Sequence, residues 1–260
     1  MATKTITEAR SIVEADPEFA ELAIALWRAR KARALAKEQR EPIHKLITEA
    51  YERGAGQVGM LVDPRGHNGE GFTVRRRHVS GVSGGPRRVT SAAAKRANAR
   101  LWMASQVRAP RVAVAVPESM VNPTHRELGV RRITPPDEFN HWDLRQMIDK
   151  YMLVKDAPFA EAEDQAKHAL TVYSQINLGY LAPEHPDADS ARWDGTPIEF
   201  GDGWVVGLTS MQFSSERFAQ LDPVAFDRLA TEPSRKGYDV VYITEGVPSE
   251  VTGEVDRYAD

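Results

Sequence analysis

The middle of this 260-residue chain contains no acidic residue over 47 consecutive positions, from Gly71 to Pro117. The same segment carries ten basic residues. A segment with charges of one sign cannot neutralise itself through local ion pairs. Its cations must remain in water, or pair with distant carboxylates or with a polyanion. The ten residues are Arg75, Arg76, Arg77, Arg87, Arg88, Lys95, Arg96, Arg100, Arg108 and Arg111.

The C-terminal half has the opposite balance, with 24 acidic and 12 basic residues from Arg131 to Asp260. The first 70 residues carry 11 of each sign, so the net charge of −3 conceals a division along the chain. Three interpretations follow: the basic segment contacts phosphates, packs against the protein's own acidic half, or docks on an acidic protein. The absence of locally mixed signs favours phosphates.

Composition excludes several classes of site. The chain has no cysteine, which removes disulfides, thiolate chemistry, zinc fingers and iron–sulfur clusters. No run of 18 apolar residues indicates a membrane span, and the first residues lack the apolar region of a secretory signal. We therefore expect a cytoplasmic protein with no membrane partner and no cofactor.

The N-terminal residues 1–54 predict a helical hairpin. Asp16-Pro17-Glu18 is a helix start, with a capping carboxylate followed by proline in the first turn. Pro42 is expected to end this helix and to begin a second one, whose apolar stripe includes Ile43, Ile47 and Tyr51.

Residues 55–117 predict a small basic α/β unit. A strand is expected over 72–82 and another over 111–116, with a helix between them that Thr90 or Ser91 caps and that extends to about Val107. The order strand–helix–strand is typical of a layered unit.

Prolines mark residues 118–136 as linker-like, and residues 137–260 predict an acidic α+β half. This half has helical patterns over 137–153 and 158–178, a β-hairpin about Gly201-Asp202-Gly203, short helices begun by Ser214 and Asp222, and a closing strand over 239–244. The fold class is therefore α+β. One composite domain and two abutting domains both fit.

Nucleic-acid binding is the function that the basic segment favours. Guanidinium groups match phosphate oxygens bidentately, and arginines on a strand and on a following helix can line one phosphate track. Phe72, His78 and Trp102 lie among them and would stack on bases if exposed, although burial in a core is the favoured interpretation of Phe72 and Trp102. No helix-turn-helix, zinc-finger or other nucleic-acid-binding signature accompanies the charge.

Motifs for catalysis are weaker. The glycine-rich run Gly66–Gly71 lacks the Gly-Lys-Ser/Thr of a phosphate-binding loop, and Asp63 with Glu70 lacks the further groups of a nuclease centre. His185, Asp187 and Asp189 have oxygen and nitrogen ligands for a metal, but a proline-rich solvated loop explains them better. No Gly-x-Ser-x-Gly elbow is present. We predict neither catalytic residues nor a metal site.

Trp193 and Trp204 each lie beside an Asp-Gly turn. Aromatic anchors beside turns can form a partner-docking surface, whereas turn chemistry with two core tryptophans is the simpler interpretation. Docking would give the acidic half a protein partner.

The sequence thus predicts a non-enzymatic, DNA- or RNA-associated accessory protein, with DNA favoured over RNA as the target. Such a division of charge suits a phage or mobile-element factor that modulates recombination, replication or transcription. Two alternatives remain open: an assembly protein such as a virion component with charge-complementary subunit contacts, and a metal-dependent enzyme.

Overall fold

A computed structural model describes residues 6–54, 60–62, 72–117, 120, 122–136, 141–181, 185–187 and 193–245. The chain divides into two compact units, each assembled from separate stretches of sequence. Unit 1 comprises Met1–Ala36, Ser83–Arg131 and Asp156–Ser234, and unit 2 comprises Lys37–Val82, Arg132–Lys155 and Arg235–Asp260.

Helices and short antiparallel sheets alternate along the chain, which confirms the α+β class. The helices are α1 (Ile6–Glu14), α2 (Pro17–Arg53), α3 (Ser91–Ala97), α4 (Ala99–Ala104), α5 (Leu144–Met152), α6 (Asp156–Leu178), α7 (Ser215–Leu221) and α8 (Pro223–Leu229). The strands are β1 (Met60–Val62), β2 (Phe72–Val79), β3 (Val82–Ser83), β4 (Gln106–Ala115), β5 (Ile198–Phe200), β6 (Trp204–Phe213), β7 (Ser234–Arg235) and β8 (Tyr238–Glu245). None of these helices is both long and apolar enough to cross a membrane.

The predicted N-terminal hairpin is corrected, because α2 continues without interruption through Pro42. Proline removes one backbone hydrogen bond and crowds the preceding turn, which ordinarily ends or kinks a helix. Here Ile43 and Ile47 on the far side are 3% and 0% exposed, and their burial holds the second half of the helix in place. The break comes earlier, at Asp16, whose carboxylate accepts a hydrogen bond from the Glu18 amide at 2.9 Å.

Unit 1 has a core built on the antiparallel sheet β4-β6-β5. The predicted hairpin about residues 201–203 is confirmed by the pairing of β5 with β6. Trp204 packs edge-on against Trp27 at 5.5 Å between ring centroids and stacks on Phe200 at 5.8 Å. These rings join α2 and the sheet into one apolar cluster.

A second apolar cluster of unit 1 lies beneath α3, α4, α7 and α8 and includes Val89, Ala94 and Phe218. The helix predicted from Thr90 to about Val107 is corrected to two short helices, because the backbone becomes extended at Asn98 and its side chain caps α4. The caps predicted at Thr90, Ser214 and Asp222 are confirmed.

Unit 2 contains the antiparallel sheet β1-β2-β8 and the C-terminal part of α2. Val74 on β2 and Val241 on β8 are 0% and 7% exposed. His44 of α2 places Nε2 2.8 Å from the Val241 carbonyl oxygen, which attaches the helix to the outer strand β8.

The predicted strand–helix–strand layer over 55–117 is also corrected, since β2 and β4 belong to different sheets. Each strand finds its partner in the C-terminal half: β2 pairs with β8, and β4 pairs with β6. Alternation along a strand indicates which residues share a face but does not identify the strand beside it.

Candidate nucleic-acid interface

The ten basic residues of the middle segment fall into two groups that lie in different units. Arg75, Arg76 and Arg77 are on β2 in unit 2. The other seven belong to unit 1, so the two groups are described separately. The seven are Arg87, Arg88, Lys95, Arg96, Arg100, Arg108 and Arg111.

Six of the seven cations in unit 1 make no ion pair with any carboxylate among the described residues, and all six side chains are exposed. The six are Arg88, Lys95, Arg96, Arg100, Arg108 and Arg111. We call them the open cations. Arg96 donates from Nε to the carbonyl oxygen of Ala92 in its own helix at 3.3 Å, which leaves the terminal nitrogens of its guanidinium available.

Helices α3 and α4 present several of the open cations because their opposite sides are anchored. Ala94 is fully buried, and Leu101 packs against the same cluster. Phe218 of α7 belongs to the same cluster. Burial of one side of each short helix leaves Arg96 and Arg100 in water.

Trp102 is half-buried and is held by two neighbours rather than offered to solvent. Its indole N–H donates to the Ser91 hydroxyl at 2.9 Å, and the Lys95 ammonium lies 4.9 Å from the ring centroid. Partial burial of the ring and the hydrogen bond of its N–H group favour a packing role for Trp102.

Arg87 has a structural role at the end of α8. Its guanidinium donates to the carbonyl oxygens of Asp227 at 2.6 Å and Ala230 at 3.0 Å, and Nη1 lies 3.6 Å from the Asp227 carboxylate. Cations at a helix C-terminus satisfy the last carbonyl groups and complement the helix dipole. Arg87 is thus committed within the protein.

Arg108 and Arg111 lie on β4, where the strand register shifts between Pro110 and Ala113. Arg108 is directly opposite Met211 of β6. A Cβ built on Gly195 would lie 2.7 Å from the Arg108 guanidinium carbon, so the guanidinium covers the backbone of this turn. Gly195 has a φ of +85°, and any side chain there would displace Arg108.

In unit 2, the middle arginine of the triplet is paired. Arg76 Nη2 lies 2.9 Å from the Asp239 carboxylate, and His78 Nδ1 lies 2.7 Å from its other oxygen. The hydrogen bond from His78, with the added charge of Arg76, lowers the pKa of Asp239. Asp239 is thus a carboxylate from the acidic half that engages the basic segment.

The flanking arginines occupy the other face of β2. Arg77 places its guanidinium carbon 5.5 Å from the Tyr242 ring centroid, and its buried Nε has no hydrogen-bond partner among the described residues. Arg75 is directly opposite Tyr242. The sequence interpretation missed Tyr238 and Tyr242. Their spacing of four on a strand places them on one face and would have indicated them.

Several weaker candidates do not form a site in the described structure. Asp63, Glu70, Asp189 and the run Gly66–Gly71 lie outside the described residues. His185 accepts a hydrogen bond at Nδ1 from the Asp187 amide at 3.1 Å, as expected for a turn. Among residues that the structure describes, no three histidine or acidic side chains are grouped as a metal would require.

The proposed docking tryptophans are corrected. Trp193 and Trp204 are 6% and 9% exposed and belong to the main core cluster of unit 1. Both rings pack inside the core, so neither forms an exposed anchor for a partner.

Comparison of the chain with protein-family models, with curated proteins and with solved structures finds no match to any of them.

Proposed function

We propose that this protein is a non-enzymatic nucleic-acid-binding accessory protein whose open cations contact the phosphate backbone. One observation carries the proposal: six exposed basic side chains of unit 1 have no carboxylate partner among the described residues. A solvated guanidinium keeps its terminal N–H donors for an external anion, and phosphate oxygens match their planar arrangement.

The proposal involves fewer residues than the sequence suggested. Arg87 and Arg76 already have carboxylate and carbonyl partners within the protein. Binding of phosphate by Arg87 or Arg76 would require these internal contacts to break. The open cations are therefore the main residues that we expect to contact phosphate. Backbone contacts of this kind supply affinity and register but little sequence preference.

DNA is the preferred target, and the role proposed is that of a phage or mobile-element factor that assists recombination, replication or transcription. The acidic C-terminal half would then contact a protein partner. These finer statements rest on the distribution of charge along the sequence.

The test is charge reversal at three open cations, Arg88→Glu, Arg96→Glu and Arg100→Glu combined. Fluorescence anisotropy with a labelled duplex should show an affinity loss on the order of 100-fold at low salt, at about 1 kcal/mol for each of the three lost contacts. The log–log salt dependence should become shallower by about three, because each phosphate contact contributes about −0.9 to the slope.

The matched control reverses Arg28, Lys37 and Lys45, which are exposed on α2 and change the net charge equally. It should lose far less affinity, because long-range repulsion alone is screened by salt. Equal losses in the two variants would contradict a local contact surface. Salt-sensitive oligomers that form without nucleic acid, seen by gel filtration, would instead favour an assembly protein.

A further inference from the structure

One face of the sheet in unit 2 combines arginine with tyrosine. The antiparallel register places Arg75 opposite Tyr242, Arg77 opposite Val240, and Val79 opposite Tyr238. Because side chains alternate between faces, Arg75, Arg77, Tyr238 and Tyr242 all lie on the same one. We call these four residues the Arg–Tyr face.

The aromatic rings of this face are paired with planar cations. Arg77 lies over Tyr242 at 5.5 Å and Arg235 lies over Tyr238 at 5.2 Å, each measured from the guanidinium carbon to the ring centroid. Tyr238 is 46% exposed, and Tyr242 is half-buried. Guanidinium and phenol planes in such contacts form flat surfaces of the kind on which bases stack.

The opposite face of the same two strands has a different role. It contains the buried Val74 and Val241 and, at one end, the ion-paired cluster of Arg76, His78 and Asp239. The Asp239 carboxylate therefore lies on the face opposite the Arg–Tyr face. The Arg–Tyr side of the paired register has no acidic residue from Thr73 to Val79 or from Tyr238 to Thr244.

We propose that the Arg–Tyr face binds single-stranded nucleic acid, with bases stacked on Tyr238 and Tyr242 and phosphates near Arg75 and Arg77. This inference rests on the proposed function and specifies its substrate: an unpaired strand whose bases are accessible. Stacking needs no particular base, since every base has a flat apolar surface, and sheets that carry aromatic residues beside cations provide it. A protein ligand would be favoured by an apolar face, whereas half of this one is cationic.

The experiment compares two labelled single strands of about 20 nucleotides, one of thymidylate and one of abasic sites with the same phosphates. The unmodified protein should bind the thymidylate strand about tenfold more tightly or better. Combined Tyr238→Ala and Tyr242→Ala should abolish that preference and leave affinity for the abasic strand, and its salt slope, unchanged.

Two control variants separate stacking from folding. Tyr238→Phe with Tyr242→Phe retains the rings and should retain the preference for bases. His78→Ala changes an exposed side chain on the opposite face of the same strands and should also retain it. If circular dichroism shows that the double alanine variant is unfolded, two measurements still test stacking. They are the comparison of the two strands with the unmodified protein and the single change Tyr238→Ala at an exposed position.

The outcomes distinguish this inference from the proposed function. Equal affinity of the unmodified protein for the thymidylate and abasic strands would overturn stacking but leave phosphate binding by the open cations intact. Failure to bind either strand or duplex would overturn both. Loss of preference in the Phe variant would also contradict a stacking role.

Discussion

Arg30 and Arg33 of α2 and Arg96 and Arg100 of α3 and α4 carry the same guanidinium group into different surroundings, although all four belong to unit 1. Arg33 lies 2.6 Å from the Asp156 carboxylate and 3.1 Å from that of Glu163, and Arg30 lies 3.0 Å from Glu163. Arg96 and Arg100 have no described carboxylate within reach. The first set joins α2 to α6, and the second set faces solvent.

This difference teaches how to separate structural arginines from those available to a ligand. Burial would raise the pKa of Glu163, but hydrogen bonds from Arg30 and Arg33 outweigh it and lower the pKa. The hydrogen bonds that Arg33 donates to Asp156 and Glu163 raise the pKa of Arg33. An arginine with these partners contributes to the stability of the fold. An arginine in water can instead exchange its bound water for phosphate with little effect on the structure.

Removal of the shared carboxylate should have the largest effect on stability. Glu163→Ala leaves Arg30 unpaired and Arg33 with one partner, and we expect a loss of about 1–2 kcal/mol in the free energy of unfolding, between the values for exposed and buried pairs. Urea denaturation measures it. Affinity for nucleic acid should be unchanged in this variant. A large loss of affinity would contradict the distinction between ion-paired arginines and arginines available to a ligand.

Arg87→Ala should destabilise the protein by about 1 kcal/mol, because the carbonyl groups of Asp227 and Ala230 lose their donor. The neighbouring change Arg88→Ala is the matched control and should stay within about 0.5 kcal/mol, as is usual at exposed positions. The same denaturation experiment reports both. Equal losses in the free energy of unfolding for the two variants would mean that Arg87, like the open cations, has no structural role.

Acid should weaken the paired set selectively. A carboxylate whose pKa is lowered by folding stabilises the protein above its ordinary pKa, and that contribution is lost as the pH falls through the lowered value. Wild-type stability should therefore decline below about pH 4 more steeply than that of Glu163→Gln. Denaturation midpoints across this range measure the difference. If the two proteins lose stability in parallel as the pH falls, the contacts of Glu163 with Arg30 and Arg33 do not contribute to stability.

The smallest expected effect is that of Arg96→Lys combined with Arg100→Lys. Charge is retained, so the salt slope should stay the same, while loss of the bidentate fork should weaken duplex binding only a few-fold. Anisotropy titrations at several salt concentrations test this. A change in slope would mean that these residues position other phosphate contacts.

Local chemistry made part of the fold predictable. The helix starts at Asp16, Thr90, Ser214 and Asp222 were correctly predicted because a capping side chain and its target amides lie within one turn. The hairpin about residues 201–203 was predictable for the same reason. Pro42 and Asn98 were misjudged, since burial of Ile43 and Ile47 outweighs the proline, and a cap at Asn98 divides a helix of favourable composition.

Contacts between residues that are far apart in the sequence could not be predicted from local chemistry. The position of the basic segment can be read directly from the sequence. Asp239 and Asp227 reach Arg76 and Arg87 only because β2 pairs with β8 and because α8 ends beside Arg87. Burial of Trp193 and Trp204 likewise depends on which elements pack together. The candidate interface could therefore be predicted as a set of residue types, but not as the smaller set that has no carboxylate partner in the described part of the chain.

The salt dependence of duplex binding by the unmodified protein tests the central claim most directly. With about six phosphates engaged by the open cations, the logarithm of the association constant should fall against that of salt concentration with a slope near −5 between about 50 and 200 mM. Undetectable binding at the lower concentration, or a slope near zero, would contradict a phosphate-binding role for these side chains.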